Sequence, residues 1–393
     1  MIRRPPRSTP KPSSAASDVY KRQRASTSRA RASAMRDVAG VYAVSDVHVD
    51  HEKNAAWVRA LRRRDDVDVA CVCGDVSDDL NALEETLEGF KRAAFAEVFY
   101  TFGNHELWLG EADETRGTKD SKAKIEEVFA MCARIGVRTS PMKVCDGLWI
   151  APVHSYHHKA FDTEPEVAEA VPPVERVMND FRFSKWPDGM DDRDSDDVAR
   201  YCDSLNDGAA WETFLRSIER GDRVVSFSHF LPRLELLPEK RMLFYPKLAQ
   251  ASGSVHLRKR VEEIKSRIND GDMTHVFGHT HFGWNTQIDG VRYVQASLAT
   301  PKEWQKRPRS LIIGNWTNAQ PEPMCVYTKA RSLGVVDDAK AMWSEYYAKN
   351  RRTPEDVELA PHAREFVQRR WGDRRLESNG ADAPLPGATG RVK

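Results

Sequence analysis

The sequence predicts an α/β fold with parallel strands, and three observations support this. Short apolar runs of strand length recur along residues 41–295, segments with helical spacing separate the first three runs, and polar motifs follow several of them directly. Strands that alternate with helices indicate parallel pairing through crossover connections. In such a sheet the binding crevice lies beyond the carboxyl ends of the strands, which is where these motifs stand.

The predicted strands are apolar runs short enough to be buried β-strands rather than helices. They cover residues 41–44, 69–73, 98–102, 148–153, 224–228, 275–277 and 291–295. Cys71 and Cys73 fall in the second run, and alternate strand positions face the same side, so both are expected in the core rather than at a metal. The six scattered cysteines indicate reduced thiols.

The predicted helices carry apolar residues at helical spacing and recognisable ends. They cover residues 55–61, 80–96, 125–135, 211–218 and 255–268. Asp78 and Asp79 are expected to begin the second helix, where acidic side chains suit the helix dipole, and Gly136 is expected to end the third. Thr353, followed by Pro354 and two acids, predicts a further helix start near the C-terminus.

The chain divides into four regions. Residues 1–36 form a basic head expected to be disordered, 37–330 form the domain, 331–372 form a helical extension, and 373–393 form a polar tail expected to be disordered. Within the domain, residues 155–222 interrupt the alternation with a Pro-Pro pair and an acidic run. This insertion predicts a cap near the site, or a solvated loop without a role.

The first 36 residues say little about the compartment. Residues 1–23 resemble translated adapter sequence from sequencing libraries, so they are left out of the fold prediction. Residues 24–36 are rich in Arg, Ser and Ala, as in the remnant of a transit peptide, although Met35 is an alternative start. The expected location is cytoplasmic, or a plastid or other organelle if that remnant is real.

Charge and hydropathy exclude some classes of function. No apolar stretch approaches the roughly 20 residues that a membrane span needs, so a soluble protein without a membrane partner is expected. Residues 1–36 contain ten basic residues and one acid, which leaves 50 basic and 58 acidic residues for the rest. This mildly acidic body makes nucleic acid an unlikely partner.

Four short motifs and one histidine carry the chemistry. They are Asp46-x-His48, Gly74-Asp75, Gly103-Asn104-His105-Glu106, Gly278-His279-x-His281 and the separate His229. Histidine, aspartate and asparagine ligands without cysteine suit Mn, Fe or Zn better than Cu(I) or an iron–sulfur cluster. Two divalent or trivalent ions that share one carboxylate would lie about 3.5–4 Å apart, as in two-metal phosphatases and nucleases.

The ordered set of motifs, over roughly residues 38–300, resembles the calcineurin-like metallophosphoesterase superfamily, in a branch with small or uncharacterised substrates. The resemblance implies two facing mixed β-sheets flanked by helices, a four-layer α/β/β/α arrangement with a cap-like insertion. It also implies a role for each motif residue: Asp46, His48 and His281 at one metal, Asn104, His229 and His279 at the other, Asp75 bridging, His105 as proton donor and Glu106 orienting it.

Two further residues are candidates for substrate binding. Arg233 lies four residues after His229 and could reach a phosphate oxygen, although a plain surface arginine is as good an interpretation. His157, with its neighbours His154 and His158, follows a strand and could contact substrate, although a structural histidine is the more common case.

The predicted function is hydrolysis of a small phosphorylated substrate. A metal-activated hydroxide would attack phosphorus in line, and His105 would protonate the leaving group. Phosphomonoester, phosphodiester and pyrophosphate substrates all remain open, as does the oligomeric state. The alternatives are a non-catalytic scaffold that retains the fold, disfavoured because all the ligands are present, and a nuclease, disfavoured by the acidic body.

Overall fold

Ten strands form two β-sheets in the computed structural model, which describes residues 37–268, 271–330 and 339–372. The first sheet has the order β10-β1-β2-β3 and the second has the order β4-β5-β6-β7-β9-β8. The strands are β1 (Gly40–Val44), β2 (Asp68–Cys73), β3 (Glu97–Thr101), β4 (Met142–Cys145), β5 (Leu148–Pro152), β6 (Arg223–Phe227), β7 (Met273–Phe277), β8 (Trp284–Ile288), β9 (Val291–Gln295) and β10 (Met324–Thr328).

The central strands run parallel, as the alternation of strands and helices predicts. In the first sheet, β1 pairs with β2 and β2 with β3, and in the second β5, β6, β7 and β9 pair in parallel. Antiparallel partners occupy the edges: β10 beside β1, β4 beside β5, and β8 beside β9. The parallel strands therefore end together, and the loops that follow them share one edge of each sheet.

The two sheets face each other across an apolar core. One apolar cluster contains Val41, Cys71 and Phe99 from the first sheet together with Ile150 and Val225 from the second. A larger cluster covers the outer faces of the sheets with helices. This is the layered arrangement of two mixed sheets flanked by helices that the resemblance implies, and Cys71 and Cys73 lie in its core as predicted.

Twelve α-helices belong to the described part of the chain. They are α1 (Glu52–Arg59), α2 (Leu80–Arg92), α3 (Glu111–Arg116), α4 (Ser121–Ile135), α5 (Val174–Val177), α6 (Asp180–Phe183), α7 (Asp197–Ser204), α8 (Ala209–Ser217), α9 (Val255–Ile268), α10 (Pro301–Lys306), α11 (Met342–Lys349) and α12 (Pro361–Val367). None of the helices in the described ranges is long and apolar enough to cross a bilayer.

The insertion and the C-terminal residues supply short helices around the domain. Residues 155–222 contain α5 to α8, and residues 339–372 contain α11, α12 and a short π-helix at Gln368–Gly372. The basic head at 1–36, residues 331–338 and the tail from 373 lie outside the described residues, so the predictions of disorder there stay predictions.

Several element boundaries differ from the sequence prediction. The predicted helix start at Thr353 is wrong: residues 353–356 form a turn, and α12 begins later with Pro361 at its first position. Helix α2 ends at Arg92 rather than 96, because Ala94 adopts a left-handed backbone conformation. The edge strands β4, β8 and β10 are absent from the sequence prediction: β4 and β8 mix polar and apolar residues, whereas β10 is an apolar run that the prediction missed.

Other predicted ends are confirmed. The Asp79 side chain accepts hydrogen bonds from the backbone N–H groups of Asn81 and Ala82, so it is the N-cap of α2. Gly136 ends α4 in the left-handed conformation that glycine adopts at low cost. Helix α9 has the predicted bounds.

A buried lysine ties two of the loops at the carboxyl edge to helix α4. Lys124 is 1% exposed, and its ammonium donates to the backbone oxygens of Asp78 and Trp108 and contacts Asp113 at 3.1 Å. Burial lowers the pKa of Lys124, and the carboxylate of Asp113 partly opposes this. The lysine therefore fixes the loops after β2 and β3 with a charge that has little access to water.

We expect Lys124→Met to lower the free energy of unfolding by about 3 kcal/mol, because two carbonyls lose their donor and the buried Asp113 carboxylate loses one of its cationic partners. Lys119→Met is the matched control, since the Lys119 side chain is 80% exposed and surface replacements usually change stability by less than about 0.5 kcal/mol. Urea denaturation of both variants measures the difference. Equal losses of unfolding free energy in the two variants would show that Lys124 does not stabilise these loops.

Candidate metal centre

The motif residues lie on the loops that follow β1, β2, β3, β6 and β7. Five of them adopt a left-handed backbone conformation, which is rare for residues other than glycine: Asp46 (φ 54°), His48 (φ 45°), Asp75 (φ 54°), His279 (φ 74°) and His281 (φ 53°). Such conformations cost roughly 1–3 kcal/mol each and are typical of functional sites. The strands thus end in sharp turns that direct these side chains to one place.

Two glycines allow the loops after β2 and β3 to touch. Gly74 has φ +78°, and a Cβ there would lie 2.6 Å from the backbone nitrogen of Gly103. A Cβ on Gly103 would in turn overlap the carboxylate of Asp75. Both motifs therefore need glycine at the position before the acid or the asparagine.

The first group of donors is buried and closely spaced. Asp46, His48, Asp75 and His281 each direct one ligand atom into a region where these atoms lie within 4.8 Å of one another. His48 Nε2 and His281 Nε2 are 3.1 Å apart, and His281 Nε2 is 3.2 Å from Asp46 Oδ1. Three side chains with lone pairs therefore converge on one point.

The second group has the same character and includes Asp75 again. Asp75, His229 and His279 form a set with the same 4.8 Å spacing. Asn104 belongs with them, since its Oδ1 is 3.0 Å from His229 Nε2 and 2.9 Å from His279 Nδ1. His229 Nε2 is 3.3 Å from Asp75 Oδ2. Asp75 thus lies between the two groups, in the position that the resemblance gives to the bridging carboxylate.

Outer hydrogen bonds fix three of the four imidazole rings. His229 Nδ1 is 3.0 Å from the carbonyl oxygen of Cys73, and His279 Nε2 is 2.7 Å from that of Ala251. His281 Nδ1 is 2.8 Å from a carboxylate oxygen of Glu303. Each of these ring nitrogens donates, so the opposite nitrogen faces the centre and is the atom that would bind a metal ion once any proton on it is released.

Two serine hydroxyls orient Asp46. Ser45 Oγ and Ser297 Oγ both donate to Asp46 Oδ2 at 2.5 Å, and the backbone N–H of His279 donates to Oδ1 at 2.9 Å. Ser45 follows β1 and Ser297 follows β9, so the carboxylate is held by residues from both sheets.

The insertion supplies a carboxylate that orients Asn104. Asp180 is fully buried, and its Oδ1 accepts from Asn104 Nδ2 at 2.7 Å and from Trp108 Nε1 at 2.8 Å. The amide nitrogen of Asn104 therefore points to Asp180, and its oxygen points to His229 and His279. His157 Nε2 lies 3.3 Å from the other oxygen of Asp180.

The carboxylates and imidazoles shift one another's pKa values. Burial alone would lower the pKa of His281, but Glu303 and Asp46 raise it to about 10. Asp75 likewise outweighs burial and raises the pKa of His229 to about 9. Burial would raise the pKa of Asp75, but the charge of His229 holds it well below its usual value. This buried negative charge attracts positive charge to the centre.

The donor sets fit divalent metal ions. Oxygen and nitrogen atoms about 2.0–2.2 Å from a cation lie about 3 Å apart, close to the spacings observed in both groups. His48 also fits a metal ligand. Its Nε2 faces another imidazole nitrogen, and its buried Nδ1 has no hydrogen-bond partner among the described residues. Mixed imidazole, carboxylate and amide donors suit Mn, Fe or Zn.

His105 and Glu106 have different surroundings. The His105 ring lines the cavity beside the two groups, with Nε2 3.8 Å from Asp75 Oδ2 and its ring centroid 3.7 Å from that of Trp108. Glu106 is buried and accepts from the backbone N–H groups of Asp75, Val76, Ser77 and Gly103. Its carboxylate ties the loops after β2 and β3 together, so any effect on His105 would pass through the backbone.

The predicted substrate residues lie away from the cavity surface. Arg233 pairs with Asp289 at 2.6 Å and Glu235 at 2.9 Å, and it is not among the residues that line the cavity. His157 is buried against Asp180 behind Asn104. Neither is placed to touch a phosphate in this conformation.

Asp180 and Glu303 are site residues that sequence reasoning missed. Nothing in the insertion distinguishes Asp180 from the many other acids around it. Glu303 had a visible signal, since Thr300-Pro301-Lys302-Glu303 forms a capping box at the start of α10. That pattern predicts a helix start, but not the contact with His281.

One cavity of about 690 Å³ opens over both groups. His48, Asp75, Asn104, His105, His279 and His281 form its floor. Met178, Asn179 and Asp180 bring the insertion into the wall, as expected for a segment near the site. Residues of α11 and α12 complete the opposite side.

Comparison with known proteins agrees with this geometry. A family model described as calcineurin-like phosphoesterase matches residues 40–283, which is more than half of the chain. The chain is also 26% identical over 281 residues to the protein named [Acyl-carrier-protein] phosphodiesterase PptH from Mycobacterium tuberculosis, covering 68% of this chain and 80% of the relative.

One solved structure shares the fold, and a second is less similar. The crystal structure of phosphopantetheinyl hydrolase PptH from Mycobacterium tuberculosis superposes with a TM-score of 0.54 at 23% identity, over 69% of this chain and 93% of that one. A putative 5'-nucleotidase from Staphylococcus aureus reaches a TM-score of 0.30 at 12% identity, over 65% of this chain and 48% of the other. The first likeness supports the arrangement of the two sheets.

We expect metal binding to release about two protons at pH 7, because His229 and His281 have pKa values of about 9 and 10 and a cation displaces the proton from its ligand. Each apparent affinity then rises about tenfold per pH unit below pH 9. Titration calorimetry with Mn²⁺ in buffers of different ionisation enthalpy gives the proton number. A pH-independent affinity between pH 6 and 8 would contradict it, and Asp75→Asn is the control for specific binding.

Proposed function

The chain belongs to the calcineurin-like phosphoesterase family, and from this premise we propose that it is a phosphodiester hydrolase with a dinuclear metal centre. It is a phosphoesterase by family, the choice of a phosphodiester rests on the relative's name, and the dinuclear centre rests on one observation. Seven donor side chains, six of them buried and His279 partly buried, form two groups that share Asp75.

The residues of the centre have distinct proposed roles. Asp46, His48 and His281 would hold one ion, Asn104, His229 and His279 the other, and Asp75 would offer one oxygen to each. Two bound cations would lower the pKa of a water molecule and stabilise charge on the phosphoryl oxygens. The chain itself keeps one nitrogen of each imidazole directed inward, through the hydrogen bonds of His229, His279 and His281 to outer acceptors.

His105 is the proposed proton donor to the leaving oxygen. Its ring lies at the floor of the cavity with 12% of its side chain exposed, beside Asp75 and stacked near Trp108. Water supplies the new oxygen on phosphorus, and the bond from phosphorus to the departing alkoxide breaks. That alkoxide takes its proton from His105, a step that typically contributes 10²–10⁴-fold.

The proposed substrate is a phosphodiester carried by an acidic protein. The relative from Mycobacterium tuberculosis is named as a phosphodiesterase of acyl carrier protein. In this chain, Lys302, Lys306 and Arg309 line the same cavity, are exposed, and have no carboxylate within ion-pair distance among the described residues. Free cations on a domain with an acid excess favour an acidic partner. A small phosphorylated substrate is the alternative.

The other two candidate functions gain no support. A scaffold would have no need to keep all the buried donors, and the family match is to phosphoesterases. A nuclease would need a broad basic surface, whereas residues 37–393 carry 50 basic against 58 acidic residues.

The test of the mechanism uses leaving groups of different basicity. We expect His105→Ala to lower kcat by 10²–10⁴-fold for a dialkyl phosphate, and by about tenfold or less for bis(p-nitrophenyl) phosphate, because nitrophenolate leaves without a proton. Hydrolysis is measured with the full chain in Mn²⁺, with Asp75→Asn as the inactive blank and His256→Ala, which does not line the cavity, as the control. Equal losses on both substrates would contradict the proton-donor role.

The test of the substrate uses holo-acyl carrier protein. We expect mass spectrometry to show conversion to the apo form, and Lys306→Glu to raise KM at low salt, since electrostatic attraction is screened by ions. Lys119→Glu reverses an exposed charge elsewhere and should leave KM unchanged. Cleavage of bis(p-nitrophenyl) phosphate without any conversion of the carrier protein would keep the phosphodiesterase and reject the carrier.

A further inference from the structure

One side of the cavity is apolar, and its exposure is unusual for this chain. Met242, Phe244, Leu248, Met342, Trp343 and Phe366, called the apolar wall below, all line the cavity over the candidate centre. Three large hydrophobic side chains of the described residues are exposed: Phe244 (50%), Met342 (39%) and Val67 (36%). Two of these three belong to the apolar wall.

The apolar wall is built by segments outside the strands that carry the donors. Phe244 stacks against Phe366 of α12 with ring centroids 4.7 Å apart. The backbone N–H of Ala360 donates to the carbonyl of Arg241, and this bond joins the start of α12 to the segment before Phe244. Two parts of the chain more than a hundred residues apart thus hold a half-exposed phenylalanine at the mouth of the site.

The cavity is larger and more apolar than a phosphoryl group requires. A volume of about 690 Å³ falls within the roughly 300–1,000 Å³ of sites that bind drug-sized molecules. The donors and His105 occupy the floor, and the cations Lys302, Lys306 and Arg309 lie along one side. The apolar wall lines the same cavity, so a molecule held at the donors by its phosphate can contact it.

We propose that the apolar wall binds an extended, uncharged chain attached to the phosphate of the substrate, and that it sets specificity for phosphodiesters with such an arm. The inference rests on the proposed function, because the phosphate must sit at the donor groups. The basic side of the cavity would then face the charged partner, and the wall would face the arm. Short, fully polar phosphoesters would lack one of the two contacts.

The arm can be tested by binding as well as by turnover. Alkyl phosphates from ethyl to octyl, titrated into the Mn²⁺-loaded full chain by calorimetry, measure the contribution of each methylene. A fully buried methylene strengthens binding about fourfold, so a half-exposed surface should give about twofold per methylene, on the order of fiftyfold from ethyl to octyl. The same series as alkyl p-nitrophenyl phosphates gives kcat/KM, with an alkyl phosphate and p-nitrophenol as products.

Variants assign the effect to the wall. Phe244→Ser and Met342→Ser remove exposed side chains, so both should fold, which thermal melting checks. We expect each to lower the octyl-to-ethyl ratio of affinities several-fold, and Val67→Ser, the exposed control outside the cavity, to keep the wild-type ratio. A wild-type affinity independent of chain length, or an equal loss in the Val67 variant, would overturn the inference.

The outcomes separate this inference from the proposed function. No hydrolysis of any ester, with a chain-length dependence of binding that Phe244→Ser abolishes, would reject the hydrolase and keep the wall. Hydrolysis of the ethyl ester without any chain-length dependence in either assay would keep the hydrolase and reject the role of the wall.

Discussion

The structure depends on the burial of several electron-rich side chains at one place. Asp46 and Asp75 lie among imidazoles and an amide, all within a few ångströms and largely out of water. Uncompensated carboxylates in such a site are costly, and the raised pKa values of His229 and His281 are one expression of that cost. A cation in each group would supply the same compensation at shorter range, which explains why these donors converge rather than pair with surface charges.

The fold holds these side chains together although several of them require unfavourable backbone conformations. Five donor residues occupy left-handed backbone conformations, each a few kcal/mol at most above the alternatives. The surrounding contacts hold them there. Glu106 accepts hydrogen bonds from four backbone N–H groups of two loops. Lys124 donates to the carbonyls of Asp78 and Trp108, which lie further along the same loops. Ser45 and Ser297 join the ends of the two sheets at Asp46. Because these contacts are buried, the site is set before any ligand arrives.

The sequence predicts the residues at the strand ends well and the residues that support them poorly. Asp46 and Asp75 stand directly after apolar runs of one sheet, so their meeting follows from parallel pairing, and His279 joins them because the two sheets face each other. Asp180 reaches Asn104 from a long insertion, and no local pattern encodes that contact. The failed helix start at Thr353 has a similar cause, since capping propensity is a weak local preference, and α12 instead begins where its apolar residues pack on the segment around Arg241.

The same division explains how one site could combine general chemistry with narrow selectivity. The strand-end loops supply donors that would treat any phosphoester alike, because they contact only the phosphoryl group. The cavity above them is shaped by the insertion, by α10 and by the C-terminal helices, none of which carries a proposed ligand. Met178 and Asp180 show how the outer segments are coupled to the donors. The two residues are close together in the insertion and both line the cavity, and Asp180 also orients Asn104. A change in these outer segments can therefore alter which substrate is held while the buried donors keep their geometry.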